Sequence, residues 1–321
     1  MLPKFGMYQP PRSFKYEPRR LLRGVLDRIR AKDRRWFLLH KLAKWRFARL
    51  LKRVFPSAWL RPVDAGPPWT PEIQMTTSLM FPQSAESLAR YPPDRFYYRA
   101  YKDVTAFLSV LERHSFNFRT AGAILELGCG SARLLRLLRC IEGVRLVGAD
   151  INPACVEWCK GNVSGPEYYV NQAVPPLAFA RAGTFDLVWA YSVFTHIPSE
   201  LQRAWLEEIR RVLRTGGIFL CTVIGQKHGQ HQLSGEDYQT LAQNGELMLH
   251  SDCPRISYSS KLRDLCDIYY TRHRAIENFG HVFELIDFLP GQSLSMGQDL
   301  LVLRKPTVST TLLDASSGAS R

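Results

Sequence analysis

Near the middle of the chain an apolar run, Ala123-Ile124-Leu125-Glu126-Leu127, passes directly into Gly128-Cys129-Gly130 and then into a segment with helical spacing. A short strand that turns over two glycines into a helix is the opening unit of an open, doubly wound α/β sheet, where ligands collect beyond the C-terminal strand tips. The residues that follow keep this rhythm. Short apolar runs ending in small or turn residues predict strands at Ala123–Leu127, Arg145–Ala149, Tyr168–Asn171, Phe185–Ala190, Ile218–Val223, Val282–Leu289 and Asp299–Arg304. Such runs suit strands covered on both faces. Helices are expected at Ala132–Arg139, Pro153–Lys160 and Glu200–Arg214. In the last, Leu201, Trp205, Ile209, Val212 and Leu213 share a face, Ser199 is placed to cap, and Gly216-Gly217 is placed to stop it. Alternation of this kind predicts a mostly parallel seven-stranded sheet with crossover helices.

Charge is segregated along the chain. Residues 1–61 hold 18 Lys and Arg against three acids, whereas the remaining residues hold 25 basic and 26 acidic groups. The net charge of +14 therefore belongs to an arm and not to the body. Within that arm, residues 19–55 place Leu21, Leu22, Val25, Leu26, Ile29, Trp36, Leu39, Leu42, Phe47, Leu50, Leu51 and Val54 at roughly helical spacing, with Arg and Lys between them. A basic amphipathic helix suits an anionic membrane surface, packing on the body, or, less well, nucleic-acid phosphate. The expected organisation is a helical arm over 1–60, a Pro-rich linker over 61–93, an α/β domain over 94–306 and a loose tail over 307–321. The domain opens on a helix over about 94–115, and residues 225–270, rich in His and Tyr, form a cap.

Seven cysteines, with no Cys-x-x-Cys pair, read as reduced thiols in a reducing, cytoplasmic setting. Cys155 and Cys159 fall on one helix face. The histidines of residues 226–270 lack metal-ligand spacing, so no metal is expected. No secretory leader and no stretch of 18 apolar residues stand out, which reads as a soluble or membrane-peripheral chain.

Two positions carry the chemistry. Glu126 precedes the first glycine by two, and Asp150 closes the second strand, 20 residues past Gly130. A nicotinamide-binding loop wants a third glycine where Arg133 stands. An acid before the loop also disfavours a pyrophosphate and suits a cofactor with a cationic amino-acid end. Asp150 is placed to accept ribose hydroxyls; the alternative is a surface acid starting a helix at Pro153.

Residues 120–224 resemble a class I S-adenosylmethionine (SAM) dependent methyltransferase. The likeness rests on Glu126-x-Gly128-x-Gly130, on Asp150, on Phe185-Asp186-Leu187-Val188, on Tyr191-Ser192-Val193-Phe194-Thr195-His196-Ile197, and on Arg214-Thr215-Gly216-Gly217 before strand five. Gln298-Asp299-Leu300-Leu301-Val302-Leu303 is similar to the family's last, antiparallel strand. The resemblance implies SAM as cofactor. Gly128, Cys129 and Gly130 would line its methionine part and Glu126 would hold its ammonium. Asp150 would bind ribose and Ile151 would lie against adenine, with Asn171 or Gln172 at the adenine edge. Tyr191 and Ser192 would sit near the sulfonium. Cys129 also reads as a small spacer. His196 is the first candidate for taking a proton from a hydroxyl acceptor, and it reads equally as a helix-start His bonded to backbone; His228 is a weaker candidate. The Asn/Asp-Pro-Pro-Tyr of amino-group enzymes and the Pro-Cys of cytosine C5 enzymes are both missing after strand four. The leading expectation is methyl transfer to a hydroxyl of a small molecule, glycan or lipid-linked acceptor. An RNA or protein methyltransferase that holds its target with the arm is the second, and a non-catalytic assembly protein of the same fold the third.

Overall fold

The structure, a computed structural model, describes residues 39, 41–50, 93–117, 120–250, 266–291 and 297–307. Most of the basic arm, the linker, residues 251–265 of the cap and the tail beyond 307 lie outside these residues.

The body is built on β1 (Ala123–Leu127), β2 (Arg145–Asp150), β3 (Glu167–Val170), β4 (Phe185–Ala190) and β5 (Leu213–Gly225), joined in parallel in the order β3-β2-β1-β4-β5. Two more strands, β8 (Glu284–Leu289) and β9 (Asp299–Arg304), complete the seven. β9 runs antiparallel to β5, with Phe219 opposite Leu303, and β8 runs antiparallel to β9. These seven are the expected strands with the expected antiparallel last strand, and two further strands extend the sheet to nine among the described residues. β1 and β4 are buried along their whole length, which is why their sequences lack polar alternation.

Each face of the sheet carries its own apolar core. On one lie α1 (residues 41–50), α2 (Pro93–Arg113) and α3 (Pro153–Asn162), packed through Tyr101, Val104, Phe107, Leu111 and Val156. On the other lies α4 (Ser199–Val212), whose Trp205, Leu206, Ile209 and Val212 are buried.

Four local expectations change. The segment after the glycine turn is not an α-helix over Ala132–Arg139. It is a run of turns closing in a 3-10 helix at Leu135–Cys140. Ala132 takes a φ of 53°, which breaks a right-handed helix at its start. The fully buried Arg136 then claims the carbonyl oxygens of Ser131 and Ala132, at 2.6 and 3.1 Å. Ser199 does not cap α4: Pro198 holds the cap position and the Ser199 hydroxyl donates to Glu246. Gly216 and Gly217 do not stop α4, which gives way to β5 at Leu213; instead Gly216, at φ 74°, turns the first residues of that strand.

The fourth change is in the cap. Its described residues hold α5 (Gln226–Gly229), α6 (Gly235–Asn244), β6 (Glu246–His250) and β7 (Cys266–Tyr270), with α7 (Arg272–Gly280) following. β6 and β7 pair antiparallel, and β7 joins the tip of β5 through Ile224–Tyr269 and Gly225–Tyr270. The insertion is thus a strand pair grafted onto the C-terminal end of the sheet, above the loop that follows β4.

Candidate active site

Glu126 and Asp150 lie on the same face of neighbouring strands. Glu126 stands opposite Gly148, and Asp150 follows two residues further along β2. Both carboxyls are buried, at 3% and 7% exposure. Burial pushes the Glu126 carboxyl up to about 8. Arg133 and the Leu135 N–H pull it back, and the nearby Asp150 charge raises it further. Its Oε2 accepts the Leu135 N–H at 3.0 Å. Asp150 is likewise raised by burial. Its Oδ2 accepts the Gly130 N–H at 2.7 Å and its Oδ1 the Asn152 N–H at 2.8 Å. A carboxylate has about four lone-pair sites, so about two remain for the hydroxyls of a ribose.

The glycine turn is shaped first by the protein itself. Gly128 and Gly130 have φ of 72° and 50°, where a side chain is strained. The Gly128 and Cys129 N–H groups donate to the Ala149 carbonyl at 2.7 and 3.0 Å, which clamps the turn onto β2. A Cβ on Gly128 would stand 2.3 Å from Val193 Cγ2, a residue of the loop after β4. The space beside the Gly128 Cα is thus taken by Val193. Cys129 packs on Gly148, whose missing Cβ would come within 2.9 Å of its Sγ. The hydrogen bond with Cys159, together with burial, pushes the Cys129 thiol well up, which disfavours a thiolate there.

Around the pair, Asn152 caps α3 by accepting the Ala154 N–H at 2.9 Å. Ile151 is half-buried and Gln172 exposed. Asn171 donates from Nδ2 to the Gln172 carbonyl, and its Oδ1 is buried with no partner among the described residues. That orphaned acceptor suits an amino group such as that of adenine. An acceptor at the β3 tip, a ribose-ready carboxylate at the β2 tip and a buried acid at β1 fit SAM, and those three side chains would hold its adenine, ribose and ammonium ends.

Tyr191 and Ser192 begin the loop after β4. The Arg133 guanidinium lies over the Tyr191 ring, 5.2 Å from its centre, and donates to the buried Asp103 of α2 at 3.0 Å. Phe107 meets Tyr191 edge-on at 5.9 Å. Helix α2 is thereby held across this face of the sheet. Ser192, at φ 57°, belongs to a closed triangle of hydrogen bonds. Its N–H donates to Thr222 Oγ1 at 2.7 Å, the Thr222 hydroxyl donates to Gln298 Oε1 at 2.7 Å, and Gln298 Nε2 donates to Ser192 Oγ at 2.8 Å. Thr222 and Gln298 are buried, so this triangle locks the tips of β4 and β5 to the start of β9. Sequence reasoning passed over Thr222, because a lone Thr in an apolar strand carries no signal of its partner.

The histidines part company. His196 places Nδ1 3.0 Å from the Cys266 carbonyl and 3.2 Å from Asp267 Oδ1, both on β7. His228 sits on α5, beside Gly297 and Asp299. Its nearness helps to lower the Asp299 carboxyl, which burial raises. No cluster of metal-ligating side chains occurs among the described residues.

Residues 125–221 match the family described as "Methyltransferase domain". Among solved structures, a SAM-dependent methyltransferase from Methanosarcina mazei is 17% identical, covers 61% of this chain and 98% of its own length, and superposes with a TM-score of 0.43. A TehB-like SAM-dependent methyltransferase from Corynebacterium glutamicum is 14% identical over 74% of this chain and 100% of its own, with a TM-score of 0.44. A SAM-dependent methyltransferase from Clostridium acetobutylicum is 10% identical over 64% and 91%, also at 0.44. The matched segment runs from β1 into β5 and includes Glu126, the glycine turn, Asp150, Asn171 and Ser192, so this part of the chain is a methyltransferase domain, which implies SAM as its cofactor.

Proposed function

We propose that the chain transfers the methyl group of SAM to a hydroxyl of a small molecule, glycan or lipid-linked acceptor, with His196 taking the hydroxyl proton. SAM supplies a methyl already activated by its sulfonium. What is asked of the protein is alignment, which is worth about 7–11 kcal/mol in well-oriented reactions, and removal of one proton.

The observation that carries this reading is the environment of His196 Nδ1. It faces two acceptors, a backbone carbonyl at 3.0 Å and a carboxylate oxygen at 3.2 Å. Neither can donate, so Nδ1 must carry the hydrogen. In the neutral ring Nε2 is then a bare lone pair, the form a general base requires. The side chain is 38% exposed and lies on the same loop as Ser192, within reach of an acceptor entering over that loop.

His196→Ala should lower kcat by about a hundredfold or more while leaving SAM affinity within about twofold. Labelled-methyl transfer into a cell extract identifies the acceptor for these assays. Turnover by His196→Ala equal to that of the unsubstituted chain would make His196 a purely structural residue.

A further inference from the structure

Among the described residues, helix α1 meets the body through one face. Phe47 is fully buried against the Tyr101 ring at 5.4 Å, and Leu50 is 6% exposed. This anchoring fixes which side of the helix looks outward. On that side stand Leu42 and Trp45, at 52% and 55% exposure. Among the described residues, the other large apolar side chains left so open are Val170, at the end of β3, and Val174 beyond it. Lys41, Lys44, Arg46 and Arg49 surround Leu42 and Trp45, all exposed, and the Arg49 guanidinium lies 4.7 Å from the centre of the Trp45 ring. The helix sits within the arm of residues 1–61, where basic residues outnumber acids by 18 to three.

An apolar pair ringed by cations on a helix whose other face is already committed matches the interface between phospholipid headgroups and acyl chains. Trp belongs at that depth, with its ring in the apolar layer and its N–H toward the headgroups. Each cation gains from a negatively charged headgroup layer, which nucleic acid would also provide; a nucleic-acid strand gives a buried Leu nothing. No described helix is long and apolar enough to cross a membrane, so such contact would be along the surface.

We propose that the outward face of α1 docks on an anionic phospholipid surface, with Leu42 and Trp45 entering the headgroup boundary and Lys41, Lys44, Arg46 and Arg49 meeting the lipid phosphates. The helix packs on α2, which lies across the face bearing Glu126 and Tyr191, so docking brings the methyltransferase site close to the bilayer. The proposal stands apart from the choice of acceptor, because α1 itself contributes no residue to the cofactor pocket.

The full chain is mixed with vesicles of phosphatidylcholine alone, and with vesicles that also contain phosphatidylglycerol, and pelleted. The expected result is binding to the anionic vesicles, weakened by salt, with little binding to phosphatidylcholine. Lys44→Glu with Arg46→Glu should weaken it by about tenfold or more. Leu42→Ala with Trp45→Ala should weaken it too, while calorimetric SAM affinity stays unchanged in both variants. Equal binding to both vesicle types, or to neither, overturns the proposal. So does vesicle binding unaffected by either variant. A single-stranded RNA probe whose binding the charge reversal abolishes, with vesicle binding untouched, assigns this face to nucleic acid instead. SAM affinity is read separately, so a failure to bind lipid is distinguishable from a failure of the methyltransferase reading.

Discussion

Glu126 is the residue whose environment departs furthest from that of a free carboxyl. Its carboxyl, raised to about 8 by burial, holds a proton at neutral pH in the cofactor-free chain. A group whose folded pKa lies above its unfolded value stabilises the fold most fully below the unfolded pKa. That contribution is lost as pH rises through the folded pKa. For Glu126 the window runs from 4.5 to about 8. Glu126→Gln keeps an oxygen for the Leu135 N–H and removes the titration. It should flatten the pH dependence of stability across that window and raise stability at pH 8 by about 2–4 kcal/mol. Chemical denaturation of both proteins at several pH values checks this; parallel curves would show that Glu126 is ionised in the folded chain. An acid kept neutral until a cationic group arrives is a reasonable partner for the ammonium of SAM, and its position two residues before Gly128 was legible in the sequence. Its link to Leu135 was not, because it depends on the 3-10 turn that Arg136 and Ala132 impose.

At the scale of elements, what could be read beforehand followed burial. β1 and β4 are buried at every residue and their limits were read as they stand. β6 and β7 were missed. Glu-Leu-Met-Leu-His and Cys-Asp-Ile-Tyr-Tyr mix polar and apolar groups at the rim of the sheet, where periodicity is weak. Helix α6 had signals that went unused: Ser234 caps it by accepting the Asp237 N–H at 3.1 Å, and Gly245 ends it at φ 79°. The missed strand pair supports the loop after β4. Thr195 accepts the Ile268 N–H at 2.9 Å, and the buried Tyr270 hydroxyl donates to Gln202 Oε1 at 2.9 Å. Gln202 Nε2 in turn donates to the Ile197 carbonyl at 2.9 Å. Tyr270→Phe strands the Gln202 oxygen in the core and should cost about 1–3 kcal/mol. Its thermal midpoint should fall, and kcat should fall with it as the His196 loop loosens. An unchanged midpoint would show that water replaces the hydroxyl at no cost.

The whole molecule joins a nearly neutral α/β body to a strongly basic arm. That division was plain from composition alone. How the arm meets the body was not, since its apolar stripe suited packing and a membrane equally well. In α1 the stripe divides: Phe47 and Leu50 turn inward, while Leu42 and Trp45 turn outward. On the proposal that SAM lies across the tips of β1, β2 and β3, Asp150 is the most exacting residue, since its two oxygens already hold the Gly130 and Asn152 N–H groups and would also have to serve a ribose. The direct measurement is a calorimetric titration of SAM into the chain and into Asp150→Ala, with the fold of each confirmed by circular dichroism. Saturable binding by the unsubstituted chain is expected, weakened at least about tenfold by the substitution. Equal affinity in the two proteins, or no heat of SAM binding in either, would rule out a SAM site built on Asp150.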